Sequence, residues 1–290
     1  HMLDQASKLR ALVDNGNEKT QNGQGIKIYS VASGKGGVGK TNFSVNLAIK
    51  LQQMGKRVLV LDADVGLSNA NILLGINTPL NLFNLFNEGI SLKDIIVTGP
   101  EGVDLLSGGS DLFNMEILDY DKQQTIINEL SSIGVYDILI IDNGAGISRE
   151  SLTFAIFAHE LILVTTPEPT AITDAYSYLK AISIYKLKDK VKVVINQVPD
   201  IVSGEESFNK LALTCQKFLK LELENIGFIF NDIRVNKAVM DQQPIVLKYP
   251  NSLASKNISQ ISNNILNDKN YNFNVSGLRQ LSNRLRKIFG

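Results

Sequence analysis

One short stretch of the sequence combines residue types and spacing that suit phosphate binding. The stretch reads Gly34-Lys35-Gly36-Gly37-Val38-Gly39-Lys40-Thr41. It fits the pattern G-x-x-x-x-G-K-[ST], whose glycines let successive backbone N–H groups turn inward and form a cage for an anion. Lys40 can reach the outer phosphates of a nucleotide, and the Thr41 hydroxyl can bind Mg²⁺. The sequence therefore predicts a site that binds nucleotide phosphates.

Two carboxylates close to each other provide a second chemical feature. Asp62 ends the second predicted strand and Asp64 follows two residues later. The two carboxylates share a face if the strand continues but not if it breaks into a loop. One carboxylate can approach the metal shell while the other orients or deprotonates an attacking water. An acidic first turn of a helix is the alternative. The nearby phosphate loop favours the catalytic interpretation.

The third feature is Asp142, which ends the most apolar run of the chain and precedes Asn143-Gly144-Ala145-Gly146. An aspartate in this position can bind Mg²⁺ through water, and the glycines that follow can track the γ-phosphate. A strand-ending aspartate is also a common cap. Asn196 ends a later strand and can either present its amide to an adenine edge or occupy a turn.

These side chains must be positioned by alternating strands and helices. Helical patterns cover 42–54 and 173–185 and separate apolar runs that predict strands. The runs are 26–32, 57–62, 103–106, 136–142, 160–166, 190–196 and 225–230. Nearly continuous apolar strands are typical of a parallel sheet covered on both faces. We therefore predict an α/β fold, a mostly parallel β-sheet flanked by helices on both faces, with ligands at the carboxyl ends of the strands.

Composition limits the function classes. Among 290 residues, 29 Lys and Arg balance 29 Asp and Glu, so no global basic field favours nucleic acid. The lone cysteine, Cys215, excludes an intramolecular disulfide framework and fits a reducing cytosol. The sequence contains no run of about 18 apolar residues, so it predicts no membrane-spanning helix. We expect three parts: a helix and linker over 1–25, one α/β domain over 26–266, and a linker and helix over 267–290.

Lys35 gives the phosphate loop a resemblance to a known family. A lysine at this position is the signature of the deviant Walker A ATPases, the MinD/ParA group, and the resemblance covers roughly 26–266. It implies ATP and Mg²⁺ as ligands and a homodimer that sandwiches ATP, with Lys35 crossing to the partner's phosphates. It also implies catalytic roles for Lys35, Lys40 and Asp64.

The same resemblance assigns roles to the other strand-end residues. Asp62 corresponds to a supporting aspartate, Asp142 to the Mg²⁺-linked aspartate of switch II, and Asn196 to the adenine contact. Family members usually carry threonine where this chain has Asn143, so we expect altered switch II timing. Hydrolysis is expected to be slow, with the aspartates retained.

The N-terminal segment narrows the resemblance further. Asp4-Gln5-Ala6-Ser7-Lys8-Leu9-Arg10 resembles the D-Q-A-x-x-L-R activator helix of the FlhG group, also called FleN or YlxH, which regulates flagellar number and placement. This implies stimulation of the GTPase FlhF through Asp4, Gln5, Ala6, Leu9 and Arg10. Gln5 can position a water, and Arg10 can pair with phosphate or carboxylate. An ordinary charged helix is the alternative.

The C-terminal segment 275–289 has an amphipathic pattern. Its apolar arc includes Leu278, Leu281, Leu285, Ile288 and Phe289. Arginines and a lysine lie outside the arc, which suits a helix lying on an anionic membrane surface. A helix docked on its own domain would have a similar pattern. The membrane interpretation predicts a cytoplasmic protein peripheral to the inner face of the cell membrane, with two such helices in an ATP-bound dimer.

Other functions remain open at this stage. A MinD-type division regulator shares the core and the amphipathic tail but has no role for the N-terminal motif. A ParA-type DNA-partition ATPase needs a basic face, and we expect no sequence-specific nucleic acid. Iron–sulfur carriers of the superfamily need paired cysteines. A nucleotide-stabilised scaffold would not turn over ATP. The favoured prediction is the flagellar regulator, with basal-body or C-ring proteins as further partners.

Overall fold

A computed structural model of the protein describes residues 26–64, 70–109, 129 and 135–267. The predicted activator segment Asp4–Arg10 lies outside these residues. So does the amphipathic segment 275–289, with its membrane-contacting side chains. The partner and membrane contacts of both segments therefore stay predictions.

In the described residues, eight strands form one sheet in the order β3-β4-β2-β5-β1-β6-β7-β8. The strands are β1 Lys27–Ser33, β2 Val58–Ala63, β3 Val97–Thr98, β4 Asp104–Ser107, β5 Ile138–Ala145, β6 Glu160–Thr165, β7 Lys190–Val198 and β8 Glu222–Phe230. Every neighbouring pair is parallel except β3 and β4, which are antiparallel. The predicted α/β fold with a mostly parallel sheet is confirmed.

Helices connect and cover the strands. The α-helices of the described part are α1 Lys40–Gln53, α2 Ala70–Leu74, α3 Leu92–Ile95, α4 Arg149–Phe157, α5 Pro169–Ile184, α6 Ile201–Leu219, α7 Ile233–Met240, α8 Ile245–Lys248 and α9 Leu253–Leu266. Short 3₁₀ helices span Leu82–Phe86 and Pro100–Gly102. Helix α1 follows β1 directly after the phosphate loop, as predicted.

Both faces of the sheet are buried, which explains the continuous apolar runs. In β5, Ile138 and Ile140 join a core cluster with residues of α1 and α9, whereas Leu139 and Ile141 join a cluster on the opposite face. Helices α4, α5 and α6 contribute to a third cluster beneath β6 and β7. Because successive strand residues alternate between faces, Asp142 lies on the α1 side of the sheet.

Two differences from the predicted strands have simple physical causes. Strand β3 contains two residues, too few to show an alternating pattern. Strand β8 begins at Glu222, three residues before the predicted start at Asn225. The charged residues at the start of β8 form ion pairs with β7. Lys190 Nζ lies 3.2 Å from Glu222 Oε1, and Lys192 Nζ lies 3.0 Å from Glu224 Oε2. These ion pairs compensate for the low apolar content that concealed the strand.

Candidate nucleotide-binding site

The phosphate loop joins the carboxyl end of β1 to the first turn of α1. Gly39 is the N-cap of α1 with φ of +87°, in the left-handed region where glycine has no steric penalty. At Gly34, an added Cβ would lie 2.2 Å from the backbone carbon of Asp174 in α5, so only glycine allows this close packing. The N–H groups at the start of α1 give the loop a positive field that suits an anion.

A buried ion pair links the loop to Asp142 within β5. The strand does not end at Asp142 as predicted but continues to Ala145, because Asn143 and Ala145 still pair with Ala63 of β2 and Ser33 of β1. Lys40 Nζ lies 3.0 Å from Asp142 Oδ1, and the two side chains are 5% and 0% exposed. Ser44 Oγ donates to the same oxygen at 2.9 Å, and Lys40 Nζ lies 3.4 Å from Thr41 Oγ1. The other oxygen, Asp142 Oδ2, is buried without a hydrogen-bond partner among the described residues. A buried acceptor of this kind fits a water molecule from the shell of a magnesium ion.

Asp62 lies on β2 directly across from Asp142 in the sheet register. Its Oδ1 accepts from the backbone N–H of Asp64 at 3.2 Å, and its Oδ2 accepts from the N–H of Ala70 at 3.2 Å. The Asp62 carboxylate therefore links the backbone N–H groups of Asp64 and Ala70. Burial, and secondly the negative charge of Asp142, raise the pKa of Asp62 to about 6.

Asp64 lies just beyond β2, because the strand ends at Ala63. The two acidic residues therefore do not continue along one strand face, which resolves the alternatives left open by the sequence. An added Cβ on Gly144 would lie 3.8 Å from Asp64 Oδ1. The Asp64 carboxylate thus lies beside the glycine segment that follows Asp142, where an attacking water could be held.

Asn143 differs from its neighbours in orientation. Its Nδ2 donates to Ser30 Oγ at 2.7 Å inside the sheet, and the side chain is fully buried. Asn143 therefore lies on the opposite strand face from Asp142 and the phosphate loop. Gly146 lies nearer the loop, since its N–H donates to the carbonyl of Ser33 at 2.9 Å.

Lys35 contacts residues of its own chain. Its Nζ donates to Glu168 Oε2 at 3.0 Å and to Thr170 Oγ1 at 3.0 Å. Both partners lie at the start of α5, after the carboxyl end of β6. Sequence analysis did not identify this pair of partners, because they lie more than 130 positions from the lysine.

A cavity of about 270 Å³ opens beside the loop glycines. Its lining includes Gly37, Gly39, Asn196, Gln197, Asn231, Asp232, Val235 and Asn236. Its mixture of apolar walls and side-chain amides suits a nucleobase. Sequence analysis identified Asn196 but missed Asn231 and Asp232, although these polar residues directly follow β8 at the same edge of the sheet. The expectation that ligands bind at carboxyl strand ends could have identified them.

The structure brings most of the predicted site residues to one edge of the sheet. The loop from Gly34 to Thr41 and the residues Asp62, Asp64, Asp142, Gly144, Gly146 and Asn196 meet there. The side chains of Lys35 and Asn143 point to other partners. Their catalytic and ligand-binding roles are considered under the proposed function.

Comparison with known proteins identifies the family. A sequence model of the ParA family, described as NUBPL iron-transfer P-loop NTPase, matches residues 25–266. The chain belongs to the ParA family of P-loop NTPases. This ParA-family chain is 36% identical over 231 residues to the antiactivator FleN of Pseudomonas aeruginosa, covering 79% of the chain and 82% of FleN. It is 32% identical over 299 residues to the flagellum site-determining protein YlxH of Helicobacter pylori, covering all of both.

Solved structures support the same fold. The septum site-determining protein MinD of Pyrococcus horikoshii, complexed with Mg-ADP, superimposes with a TM-score of 0.62 at 23% identity. The match covers 84% of this ParA-family chain and 96% of that protein. The predicted relationship to the MinD/ParA group and to the FleN and YlxH flagellar proteins is thus confirmed.

The family description mentions iron transfer, a function that requires side chains able to bind iron. The described residues contain no group of three or more His, Cys, Asp or Glu side chains that could hold a metal ion. Burial raises the pKa of the Cys215 thiol to about 12, which disfavours the thiolate that binds iron. In the same ranges, no helix is long and apolar enough to cross a membrane.

Proposed function

We propose that this protein is a Mg²⁺-dependent ATPase that regulates flagellar number and placement. The observation that carries the ATPase assignment is the buried cluster of Lys40, Ser44 and Asp142 beneath the phosphate loop, with one carboxylate oxygen left without a partner in the described residues. In a purely structural ion pair, both oxygens of a buried carboxylate would be expected to have hydrogen-bond partners. The FleN and YlxH relatives support the flagellar role.

ATP would bind with its base in the cavity near Asn196 and its phosphates in the loop. Lys40 is the first residue of α1, and a cation there can exchange the Asp142 carboxylate for the outer phosphates. That exchange leaves Asp142 held directly by Ser44. Nucleotide binding therefore changes the partners of a fully buried carboxylate.

Thr41 and Asp142 would hold Mg²⁺, with Asp62 supporting the site and part of the contact passing through water. A bound magnesium ion would supply positive charge against the developing charge of the phosphates. Asp64 lies beyond β2, beside Gly144, where a carboxylate can orient the attacking water. Gly144, near the end of β5, and Gly146, just after it, would contact the γ-phosphate.

Hydrolysis would be slow and tied to assembly. We assign Lys35 to the phosphates of a partner subunit in an ATP-bound homodimer, which requires release from Glu168 and Thr170. Two C-terminal helices in one dimer would strengthen attachment to an anionic membrane at the inner face of the cell. The division into segments 1–25, 26–266 and 267–290 gives one catalytic domain with a partner-binding arm and a membrane-binding arm.

The N-terminal arm would stimulate FlhF, with Gln5 and Arg10 reaching into its nucleotide site. Basal-body or C-ring proteins would be further partners. The MinD-type division regulator and the ParA-type DNA-partition ATPase remain the alternatives for the cellular role.

The enzymatic proposal is tested by phosphate release from ATP with Mg²⁺, using purified full-length protein alone and with anionic vesicles. Asp64→Ala should lower turnover by at least about tenfold while ATP still binds. Turnover that is unaffected by Asp64→Ala would contradict the assigned role. ATP binding without any phosphate release, even with FlhF and vesicles, would support a scaffold instead.

The flagellar proposal needs its own test. A peptide covering residues 2–13 is added to FlhF, and GTP turnover is compared with the same peptide carrying Gln5→Ala. Stimulation that the substitution abolishes supports the partnership. Equal turnover with and without the peptide would favour a MinD-type role.

A further inference from the structure

Asn196 makes two hydrogen bonds that connect distant parts of the site. Its Nδ2 donates to the carbonyl of Val38 in the phosphate loop at 2.8 Å, across 158 positions of sequence. Its Oδ1 accepts from the backbone N–H of Gln197 at 2.9 Å. The side chain therefore links the carboxyl end of β7 to the phosphate loop. Both contacts are made within the protein and do not depend on a bound nucleotide base.

The contact with Val38 controls the orientation of a loop N–H group. In a planar trans peptide, the carbonyl of one residue and the N–H of the next point in opposite directions. Holding the Val38 carbonyl towards Asn196 therefore turns the Gly39 N–H away from it. An added Cβ on Gly39 would lie 2.4 Å from Asn196 Nδ2, so the amide packs directly against the loop backbone.

The end of β7 is shaped for this contact. Gln197 has φ of +55°, a left-handed conformation that costs free energy for a residue other than glycine. The pairing of β7 with β8 shifts register between Ile195 and Val198. The bond from Gln197 N–H to Asn196 Oδ1 compensates for part of that cost and fixes the amide that faces the loop.

We infer that Asn196 is a positioning residue for the phosphate loop, acting through the Val38 carbonyl, and not only a contact to the base. The inference rests on the proposed nucleotide site. It predicts that Asn196 strengthens the binding of phosphate chains that carry no base. A pure base contact would affect only ligands that have a base.

Inorganic tripolyphosphate separates these two roles. Its dissociation constant is measured by calorimetry with Mg²⁺ on the full-length protein, next to those of ATP and GTP. Asn196→Ala removes the donor to Val38, and Asn196→Ser leaves a hydroxyl donor on a side chain one bond shorter. Thermal melting shows which variants are folded. Losing one hydrogen bond to the loop should weaken tripolyphosphate binding by about tenfold. The ratio of ATP to GTP affinity should change less.

Asn264→Ala is the matched control, because the Asn264 side-chain amide in α9 also donates to a backbone carbonyl, that of Ile226 at 3.0 Å, and does not line the cavity. It should leave tripolyphosphate binding unchanged. Unchanged tripolyphosphate binding in the folded Asn196 variants, with a collapsed ATP-to-GTP ratio, would overturn the inference while leaving the nucleotide site intact. Failure of the wild-type protein to bind ATP or tripolyphosphate would overturn the proposed function and this inference with it.

Discussion

Lys35 Nζ lies 3.0 Å from Glu168 Oε2 within a single chain, at the edge of the sheet where the phosphate loop begins. The Lys35 side chain is 31% exposed and that of Glu168 is 56% exposed. In the proposed ATP-bound dimer, Lys35 would instead reach the phosphates of the partner subunit. The contact with Glu168 then competes with dimerisation.

Glu168→Gln should therefore favour the ATP-bound dimer. An exposed ion pair contributes little, but each of the two subunits releases one such pair, so the dimer dissociation constant should fall by about two- to thirtyfold. Sedimentation with Mg²⁺ and a non-hydrolysable ATP analogue measures this change. The control is Thr170→Val, which removes a neutral contact and should have a smaller effect. A weaker dimer in Glu168→Gln would show that Glu168 supports the interface.

Asp62 should make the nucleotide-free protein less stable as pH rises from about 4 to 6. Its pKa is raised from 3.8 to about 6 in the fold, so the folded state binds more protons than the unfolded state in this range. The full penalty, about 3 kcal/mol at most, is present above pH 6 and absent below pH 4. Asp62→Asn removes the charge but keeps only one of the two acceptors.

The measurement is urea unfolding of wild type and Asp62→Asn from pH 4 to 7. The variant should gain stability relative to wild type as pH rises. His159 contributes with the opposite sign, because burial lowers its pKa to about 4 and stability is lost as pH falls from 6.5 towards that value. This contribution cancels in the difference between the two proteins. Parallel stability curves would show that Asp62 is not responsible.

Ser44→Ala should weaken the response to magnesium. Ser44 Oγ donates to Asp142 Oδ1 at 2.9 Å, and this bond would be the remaining direct support of the carboxylate once Lys40 turns to ATP. A lost hydrogen bond to a charged group costs about 1.5–3 kcal/mol, which corresponds to roughly tenfold or more in the magnesium concentration for half-maximal ATP binding. A fluorescent ATP analogue titrated with MgCl₂ gives this concentration. Ser44→Thr keeps the hydroxyl and should retain the response, whereas equal losses in both variants would indicate a packing defect.

The sequence predicts those parts of the site whose residues lie close together along the chain. The phosphate loop and the strand-end aspartates depend on short-range spacing, and the parallel order of the strands brings them together. The contacts of Lys35 with Glu168 and of Asn196 with Val38 depend on side-chain packing between elements far apart in sequence. Short spacing rules do not encode such contacts. For this reason, the sequence left Asn196 open as either a base contact or a turn residue.

The orientation of Asn143 leads to a last prediction. Asn143 Nδ2 donates to Ser30 Oγ at 2.7 Å, and Asn143 Oδ1 is buried without a hydrogen-bond partner in the part of the chain that the structure describes. Threonine suits a strand and has no second polar atom to leave unsatisfied, although its hydroxyl is one bond shorter and would lie farther from Ser30 Oγ. Asn143→Thr should therefore raise the free energy of unfolding by about 1 kcal/mol, because an unsatisfied acceptor is removed.

The same variant tests whether Asn143 sets the timing of hydrolysis. Its side chain lies on the strand face opposite Asp142, so we expect ATP turnover to change by less than about threefold. Phosphate release and denaturant unfolding are measured on the same preparation. The control is Ser30→Ala, which removes the partner of Asn143 without changing the residue next to Asp142, and it should lower stability. A large change in turnover for Asn143→Thr alone would mean that this segment rearranges when ATP binds and brings position 143 to the phosphate.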